Sequence, residues 1–346
     1  MDAEVAVVGA GVMGLATARA LARAGRDVVV LEQFRLGHER GSSHGTSRIF
    51  RLSYPEEQWV RLAQEALPLW RELEAEAGET LLELHGSIDL GDWSANRDAL
   101  DTCGARYEIL DRFTAERRFG LALAPGEEGL YQADGGVALA DKTLAALAAS
   151  VAANGGRLLE ETRVVSVSET DAGVRLELES GSLEAGAAVV TAGAWAPRLV
   201  DLAEASPTRE TTAYFAHDGP IPSLIDSTVE GGGHGYALAA PGRGTKASIH
   251  KTGPPADPDG PAMPDYAIAD TAGAWLARRF PGAAPEPVRV ETCLYTNIDD
   301  DRFVCEWRGR VVVGSPCSGH GFKFAPVIGK RLAALAASET DPARPA

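Results

Sequence analysis

Apolar residues near the N-terminus change from a continuous run to a helical spacing and back again. Residues 5–8 (VAVV) form an uninterrupted apolar run, as in a strand that is covered on both faces. A glycine-rich turn, an apolar helix and a second apolar strand at 27–31 follow. This order predicts a strand–helix–strand unit at the start of the chain.

Helical spacing returns several times further along. Trp59 and Trp70 belong to an apolar face that predicts a helix from about Pro55, and Pro68 is expected to kink it. We interpret both tryptophans as core residues. Further helices are predicted at 138–156, at 265–282 and after the last strand.

Strand patterns dominate the second half of the chain. Val174, Leu176 and Leu178 alternate with charged residues, which predicts a half-exposed hairpin. The apolar stretch that ends near Gly193 predicts a buried strand that returns the chain to the first domain. From about residue 210 the pattern changes to strands that are separated by glycine and proline turns. These strands are predicted at 210–217, 235–241, 245–251, 287–297, 303–307 and 310–316.

Composition and charge limit the classes of function. The 346 residues are 45% hydrophobic, and 33 basic against 49 acidic residues give a net charge of −16. A general nucleic-acid surface would be basic, so no nucleic-acid partner is expected. We also expect no membrane span, no signal peptide and no metal site. Four cysteines without a CxxC pair favour a reducing cytoplasm.

The turn after the first strand carries the first chemical motif. Gly9, Gly11 and Gly14 form GxGxxG, in which the glycines allow a tight turn, close approach of a pyrophosphate and helix-on-strand packing. Glu32 ends the second strand, where a carboxylate can bind a ribose diol. The unit predicts a bound dinucleotide and leaves NAD and FAD open.

Two segments bring cations together with glycine. His44, Arg48 and Arg51 lie in GSSHGTSRIFR, which we predict to be a loop, directly after the dinucleotide unit. Near the C-terminus, SGHGFKF places Lys323 between Phe322 and Phe324, which are expected to keep water away from it. Two local cations are enough for an acidic protein to bind a small acid.

These segments carry a resemblance. GAGVMG, GSSHGTSRIFR, TAGAW, GTKASIH, ETCLYT and SGHGFKF occur in the order typical of monomeric sarcosine oxidase and N-methyltryptophan oxidase, which are D-amino-acid-oxidase-like flavoproteins. The likeness covers essentially the whole chain. It implies FAD as the cofactor and a mixed α/β fold, with a Rossmann-like FAD-binding domain interleaved with an antiparallel-sheet substrate domain. The implied domains are 1–80, 137–205 and 291–346 for FAD, and 81–136 and 206–290 for the substrate.

The resemblance also implies roles for single residues. It implies a covalent bond from FAD to Cys293, with Cys317 as the rival thiol, and an aromatic contact from Tyr295 beside the ring. Gly193, Gly319 and Gly321 are expected where backbone approaches the cofactor. Lys246 is implied as the oxygen-activating residue, and His250 follows on the same strand face. His44 and Arg48 match positions beside the flavin.

A function follows from the same resemblance. Arg51 and Lys323 are expected to bind a substrate carboxylate, so that a small secondary amine is oxidised at its C–N bond and O₂ is reduced to H₂O₂. Sarcosine and other N-methyl amino acids are the expected substrates, and a monomer is expected. A proline- or pipecolate-type oxidase and an FAD dehydrogenase with another acceptor remain alternatives. An NAD dehydrogenase, a flavin hydroxylase and a non-catalytic flavoprotein explain fewer of the motifs.

Overall fold

A computed structural model describes residues 1–339 of the chain; the predicted FAD-binding range ends at 346, so its last seven residues lie outside. Within this part the helices are α1 (Val12–Arg23), α2 (Glu57–Ala77), α3 (Ser94–Thr102), α4 (Arg112–Phe119), α5 (Ala140–Ala153), α6 (Tyr266–Arg279) and α7 (Ala325–Glu339). The α2 helix begins two residues after Pro55 and continues through Pro68. No helix in the described residues is both long and apolar enough to cross a bilayer.

The first sheet contains the dinucleotide unit. Strands β1 and β2 are parallel and completely buried apart from one residue, in agreement with the apolar runs in the sequence. The long strand β12 pairs with β1 along one edge, and with β11 and β19 in turn along the other. Its strands are β1 (Ala3–Val8), β2 (Val28–Leu31), β9 (Arg157–Leu159), β10 (Val164–Glu169), β11 (Val174–Leu178), β12 (Gly181–Val190), β18 (Val304–Arg308) and β19 (Val311–Ser315).

Close packing fixes the glycine turn between β1 and α1. A Cβ at Gly14 would lie 1.9 Å from the carbonyl oxygen of Gly9, so only glycine lets the helix approach the strand so closely. Gly9 itself has a φ of +98°, and a Cβ there would meet the Thr191 carbonyl at 2.8 Å. The first turn of α1 therefore lies directly against the ends of β1 and β12.

The second sheet supplies the other half of the molecule. Its eight strands run in the order β17-β13-β16-β15-β14-β5-β7-β6, and every neighbouring pair is antiparallel except β5 and β14. Helix α6 packs against it through Trp275 and Leu276. Its strands are β5 (Ser87–Leu90), β6 (Glu108–Leu110), β7 (Gly129–Gln132), β13 (Ser206–Phe215), β14 (Ser223–Asp226), β15 (His234–Ala240), β16 (Gly244–His250) and β17 (Pro287–Asn297).

A small third sheet corrects the prediction of a loop around Arg48. Residues Ser47–Phe50 form strand β3, which pairs with β8 (Gly136–Leu139), and β8 pairs in turn with β4 (Leu82–Glu83). Phe50 is fully buried and anchors this strand in the main core. Arg48 therefore projects from a strand, and Arg51 follows its last residue.

The mixed α/β class with two main sheets is as predicted. The two sheets are built from interleaved parts of the chain, because β12 and β19 return to the first sheet after excursions into the second. Strand β17 pairs with β13 over its whole length and so belongs to the second sheet, whereas the predicted boundary at 291 cuts through it. The division into two domains stays a prediction.

Candidate active site

A cavity of about 990 Å³ lies between the two sheets. Its wall runs from the glycine turn at Gly9 to Lys246 on the second sheet and Lys323 before the last helix. Of the fifteen site residues that the sequence proposed, all except Gly14 lie on this wall, and so does the rival thiol Cys317. Gly14 lies one layer behind, under the Gly9 carbonyl. The fold therefore gathers motifs that are more than 300 residues apart in the chain.

Glu32 is held rigidly at the first end of the cavity. Its two carboxylate oxygens accept backbone N–H groups, one from Ala10 at 2.8 Å and one from Phe34 at 3.0 Å. The side chain is almost fully buried and His38 lies 3.5 Å away. Gly11 leads into the start of α1, where the Val12 N–H donates to the Ser43 hydroxyl at 3.1 Å and the N–H groups that follow can bind an anion.

His44 and Arg48 form a buried basic corner. The Arg48 guanidinium donates to the carbonyl oxygens of Ser42, His44 and Ser47, and no carboxylate within the described residues pairs with it. Both ring nitrogens of His44 are buried without a hydrogen-bond partner. Burial, together with the charges of Arg48 and Lys246, lowers the pKa of His44 to about 4, so the ring is neutral at neutral pH.

Lys246 extends from β16 into the cavity and is only 4% exposed. Its ammonium lies 3.6 Å from a carboxylate oxygen of Glu291 on β17, an acid that the sequence did not single out. Burial and the charge of Arg48 lower the pKa of Lys246 to about 8, and Glu291 opposes this shift. A charged group and its counter-ion are thus enclosed at the cavity wall.

Cys293 lies on β17, the strand that also carries Glu291, and lines the cavity. It is 8% exposed, and burial raises the pKa of its thiol. Cys317, the rival thiol, also lines the cavity, and its sulfur accepts the backbone N–H of Thr296 at 3.3 Å. No disulfide forms in the part of the chain that the structure describes, so both thiols are free.

Tyr236, His250 and Tyr295 form an aromatic part of the cavity wall. The Tyr295 hydroxyl lies 3.5 Å from Nδ1 of His250, and Tyr236 meets the same imidazole edge-on at a centroid distance of 6.4 Å. Burial, followed by the charge of Lys251, lowers the pKa of His250 to about 4. A Cβ at Gly319 would lie 2.4 Å from the Tyr295 ring, so this glycine makes room for the wall.

The predicted glycines Gly321 and Gly193 differ in what surrounds the position of a missing side chain. A Cβ at Gly321 would lie 1.7 Å from the carbonyl oxygen of Pro316. The missing side chain at Gly321 therefore makes room for the backbone of the chain's own turn. Gly193 has a φ of +53° and open space where a side chain would stand. Gly193 therefore leaves backbone exposed to the cavity, and its contact with a cofactor stays a prediction.

Arg51 has a partner that the sequence did not reveal. Its guanidinium makes an ion pair of 2.8 Å with Asp89 on β5, a carboxylate that is 4% exposed. The same guanidinium lies 4.3 Å from the centre of the Tyr54 ring. Burial raises the pKa of Asp89, and Arg51 opposes this shift. Arg51 thus forms an ion pair with a buried acid and also lines the cavity.

Lys323, like Arg48, is a cavity cation without an acid beside it among the described residues. Its ammonium donates to the His320 carbonyl at 2.8 Å, and no carboxylate within residues 1–339 forms an ion pair with it. Burial, and then the charge of Arg51, holds its pKa well below the usual range. Phe324 and Tyr54 shield the ammonium at 5.2 and 5.5 Å. Phe322 instead stacks on Trp70, which corrects the expectation that it shields Lys323.

Three residues that contact the cavity cations, Tyr54 on the wall and Asp89 and Glu291 behind it, were missed because their motifs carry no distinctive spacing. Asp89 lies in an ordinary strand, and Tyr54 follows Arg51 without a pattern. Glu291 stands two residues before Cys293, so period-two alternation could have placed both side chains on one face. The other predicted residues lie together on the cavity wall, while their chemical roles stay predictions.

The cavity fits a flavin dinucleotide. The glycine turn, the exposed backbone at Gly193 and the carboxylate of Glu32 match a dinucleotide, and the neutral His44 has two unpartnered nitrogens facing the space between the sheets. A family model described as "FAD dependent oxidoreductase" (DAO) matches residues 4–335. The chain belongs to the DAO family of FAD-dependent oxidoreductases. The predicted family and FAD as its cofactor are confirmed, while the covalent bond to Cys293 stays a prediction.

Members of this family with known names resemble the chain over nearly its whole length. Peroxisomal sarcosine oxidase of Mus musculus is 32% identical over 95% of this chain and 90% of its own length. Monomeric sarcosine oxidase of Bacillus sp. (strain B-0618) is 28% identical over 96% and 92%. The solved structure of NikD, an amino acid oxidase essential for nikkomycin biosynthesis, superimposes with a TM-score of 0.88 at 29% identity and covers 99% of this chain and 95% of NikD.

The Arg51–Asp89 pair predicts a pH-dependent stability effect in this DAO-family enzyme. Arg51→Met leaves Asp89 buried without its cation, so we expect a loss of about 2–3 kcal/mol at pH 8. Without Arg51 the folded-state pKa of Asp89 rises further above its unfolded value. Stability is therefore lost as pH rises between these two pKa values, and the loss relative to wild type is smaller at pH 5. Thermal or urea unfolding at both pH values measures it.

Two variants control this measurement. Arg51→Met combined with Asp89→Asn should regain most of the stability, because position 89 no longer carries a buried charge that has lost its partner. Arg61→Met breaks an exposed pair with Glu57 and should cost less than about 0.5 kcal/mol. An equal loss at pH 5 and pH 8, without recovery in the double variant, would contradict the assignment.

Proposed function

We propose that the enzyme oxidises small secondary amino acids, with sarcosine and other N-methyl amino acids as the substrate class and O₂ as the electron acceptor. The observation that carries this proposal is the pair of cations at one end of the cavity, Arg51 and Lys323. Lys323 is buried without an acidic partner in the described chain, and a substrate carboxylate is the counter-charge it lacks. The names of the sarcosine oxidase relatives support the substrate class.

FAD, when bound, accepts two electrons from a C–H bond beside the amine nitrogen and passes them to O₂. Gly9, Gly11 and the start of α1 would hold its pyrophosphate, and Glu32 its ribose. Gly193 presents backbone to the same space, and the neutral His44 offers ring nitrogens there. The chain thus supplies a cradle that a dinucleotide fits along its full length.

The chain's own residues orient the substrate. The planar guanidinium of Arg51 binds the substrate carboxylate through its N–H groups, and the Lys323 ammonium adds a second positive charge. Tyr54 and Phe324 exclude water around both cations, which strengthens their attraction for an anion. Tyr295 and His250, neutral at neutral pH, form the wall beside the rest of the substrate.

The proposed overall reaction balances for an N-methyl amino acid. Loss of two electrons and two protons converts the CH₃–NH group to an imine, and O₂ takes them up to give H₂O₂. Water then adds to the imine and releases formaldehyde and the free amino acid. Lys246, charged and partly desolvated, is the proposed residue that stabilises negative charge developing on oxygen, with Arg48 as the second cation nearby.

The proposal has three further parts. FAD is covalently bound through Cys293, since that thiol is buried in the cavity wall. The enzyme works in the cytoplasm, in keeping with four cysteines that form no disulfide among the described residues. It acts as a monomer, as the names of several relatives suggest for those proteins.

An anaerobic screen tests the substrate class. The yellow protein is mixed without O₂ with sarcosine, N-methyl amino acids, proline and pipecolate, and each substrate should bleach the flavin absorbance in proportion to its turnover. Sarcosinamide, which lacks the carboxylate, is the matched control and should be a poor substrate. Lys323→Ala should weaken carboxylate binding about tenfold or more, which corresponds to a charge-assisted contact of roughly 1.5–3 kcal/mol. Bleaching by sarcosinamide as fast as by sarcosine would refute the carboxylate site.

The covalent bond is tested by acid precipitation. Flavin fluorescence should stay with the denatured polypeptide on a gel, and it should be lost in Cys293→Ser. Cys317→Ser is the matched control and should keep the fluorescence, because both thiols line the cavity while only Cys293 is the proposed attachment point. Retention in Cys293→Ser and loss in Cys317→Ser would reassign the bond to Cys317.

The role of Lys246 is tested by separating the two half-reactions. Lys246→Met removes the charge and keeps a side chain of similar length, so reoxidation by O₂ should slow by about a hundredfold or more. Anaerobic reduction by substrate should change much less. Stopped-flow absorbance measures both rates. Equal slowing of the two steps would mean that Lys246 serves substrate binding or folding.

A further inference from the structure

Four side chains form a continuous ionic cluster behind the cavity wall. Tyr214 on β13 is the register partner of Lys246 on β16 and of Arg289 on β17. Register partners project on the same face, and Glu291 shares that face because it lies two residues from Arg289. We call Tyr214, Lys246, Arg289 and Glu291 the Glu291 cluster.

Glu291 is the centre of this cluster. One of its oxygens accepts the Tyr214 hydroxyl at 2.7 Å and faces the Lys246 ammonium at 3.6 Å. The other accepts Nε of Arg289 at 3.1 Å, and Arg289 reaches Glu39 at the surface at 3.3 Å. The Glu291 side chain is 10% exposed. The carboxylate is therefore fixed by two donors before it meets the lysine.

One cation beside Lys246, Arg48, acts against its positive charge. Arg48 approaches from β3, and Arg243 lies over the Tyr214 ring at 5.6 Å. The remaining ionisable neighbours of Lys246 or Glu291 are His44, Asp141 and Cys293. Asp141 makes its hydrogen bond to the backbone N–H of Gly45, and His44 and Cys293 are held neutral by burial. Glu291 is thus the anion that forms an ion pair with Lys246.

We propose that Glu291 is a positioning residue of the oxygen reaction, which holds Lys246 in place and in its charged form; this inference rests on the proposed function of Lys246. Without the carboxylate, a lysine that is desolvated beside an arginine loses its proton more easily. A neutral lysine cannot stabilise negative charge on oxygen. The glutamate therefore extends the pH range over which the lysine serves O₂ reduction.

The lysine content makes a direct measurement feasible. The chain has only five lysines, Lys142, Lys246, Lys251, Lys323 and Lys330. The FAD-loaded enzyme is labelled with ε-¹³C-lysine, the five NMR signals are titrated with pH, and the signal that is missing in Lys246→Met is that of Lys246. In Glu291→Gln we expect the pKa of Lys246 to fall by about 1–3 pH units. The pH above which reoxidation slows should fall by the same amount.

Two variants separate charge from structure. Glu39→Gln removes an acid that contacts Arg289 but not Lys246, and it should leave the pKa of Lys246 unchanged. Glu291→Asp keeps the charge and withdraws it by one methylene, so its pKa should lie between those of wild type and Glu291→Gln. Unchanged positions of the other four lysine signals report a folded chain, and Glu291→Asp gives the result if Glu291→Gln does not fold.

The outcomes distinguish the inference from the proposed function. An unchanged pKa of Lys246 in Glu291→Gln, or an equal shift in Glu39→Gln, would overturn the inference, even if Lys246→Met reoxidises slowly and so supports the proposed function. Wild-type reoxidation in Lys246→Met would instead contradict the proposed function of the lysine. If the pKa of Lys246 shifts in Glu291→Gln while the pH dependence of reoxidation does not, Glu291 has no role in the oxygen reaction.

Discussion

Burial of positive charge governs the arrangement of this cavity. Removing an ammonium or guanidinium group from water is costly unless an anion or several acceptors replace the water. The chain meets this requirement in three ways: a carboxylate for Lys246 and for Arg51, backbone carbonyls for Arg48, and a single carbonyl for Lys323. The last is the least satisfied, and that deficit is what a carboxylate-bearing ligand would correct.

The same requirement explains why the cavity lies between two sheets. Lys246 and Glu291 come from strands of the second sheet, whereas Lys323 follows the last strand of the first. Each sheet alone would leave its cations at an open surface, where water screens them and their pKa values stay ordinary. Enclosure turns surface charges into groups whose pKa values depend on specific neighbours.

Close backbone contacts set the positions on which these charges depend. Gly14 lets α1 lie directly on β1, and Gly319 lets Tyr295 and His250 pack against the segment that leads to Lys323. A methyl group at either position would collide with atoms less than 2.5 Å away. The glycines of the sequence motifs therefore act through helix and ring packing as well as through space for a cofactor.

The sequence by itself determined the strand–helix–strand unit, the mixed α/β class and most of the cavity residues. GxGxxG and the apolar runs were sufficient for the first unit, whereas the class and most cavity residues followed from the family resemblance of motifs such as SGHGFKF, which combine several residues at fixed spacing. Only the tertiary structure decided the partners: Asp89 for Arg51, Glu291 for Lys246, and Tyr54 in place of Phe322 beside Lys323. Pairs such as Lys246 and Glu291 are 45 residues apart and meet through strand register, so no local pattern specifies them. The loop predicted around Arg48 is a strand for the same reason, since its pairing partner β8 lies some ninety residues further along the chain.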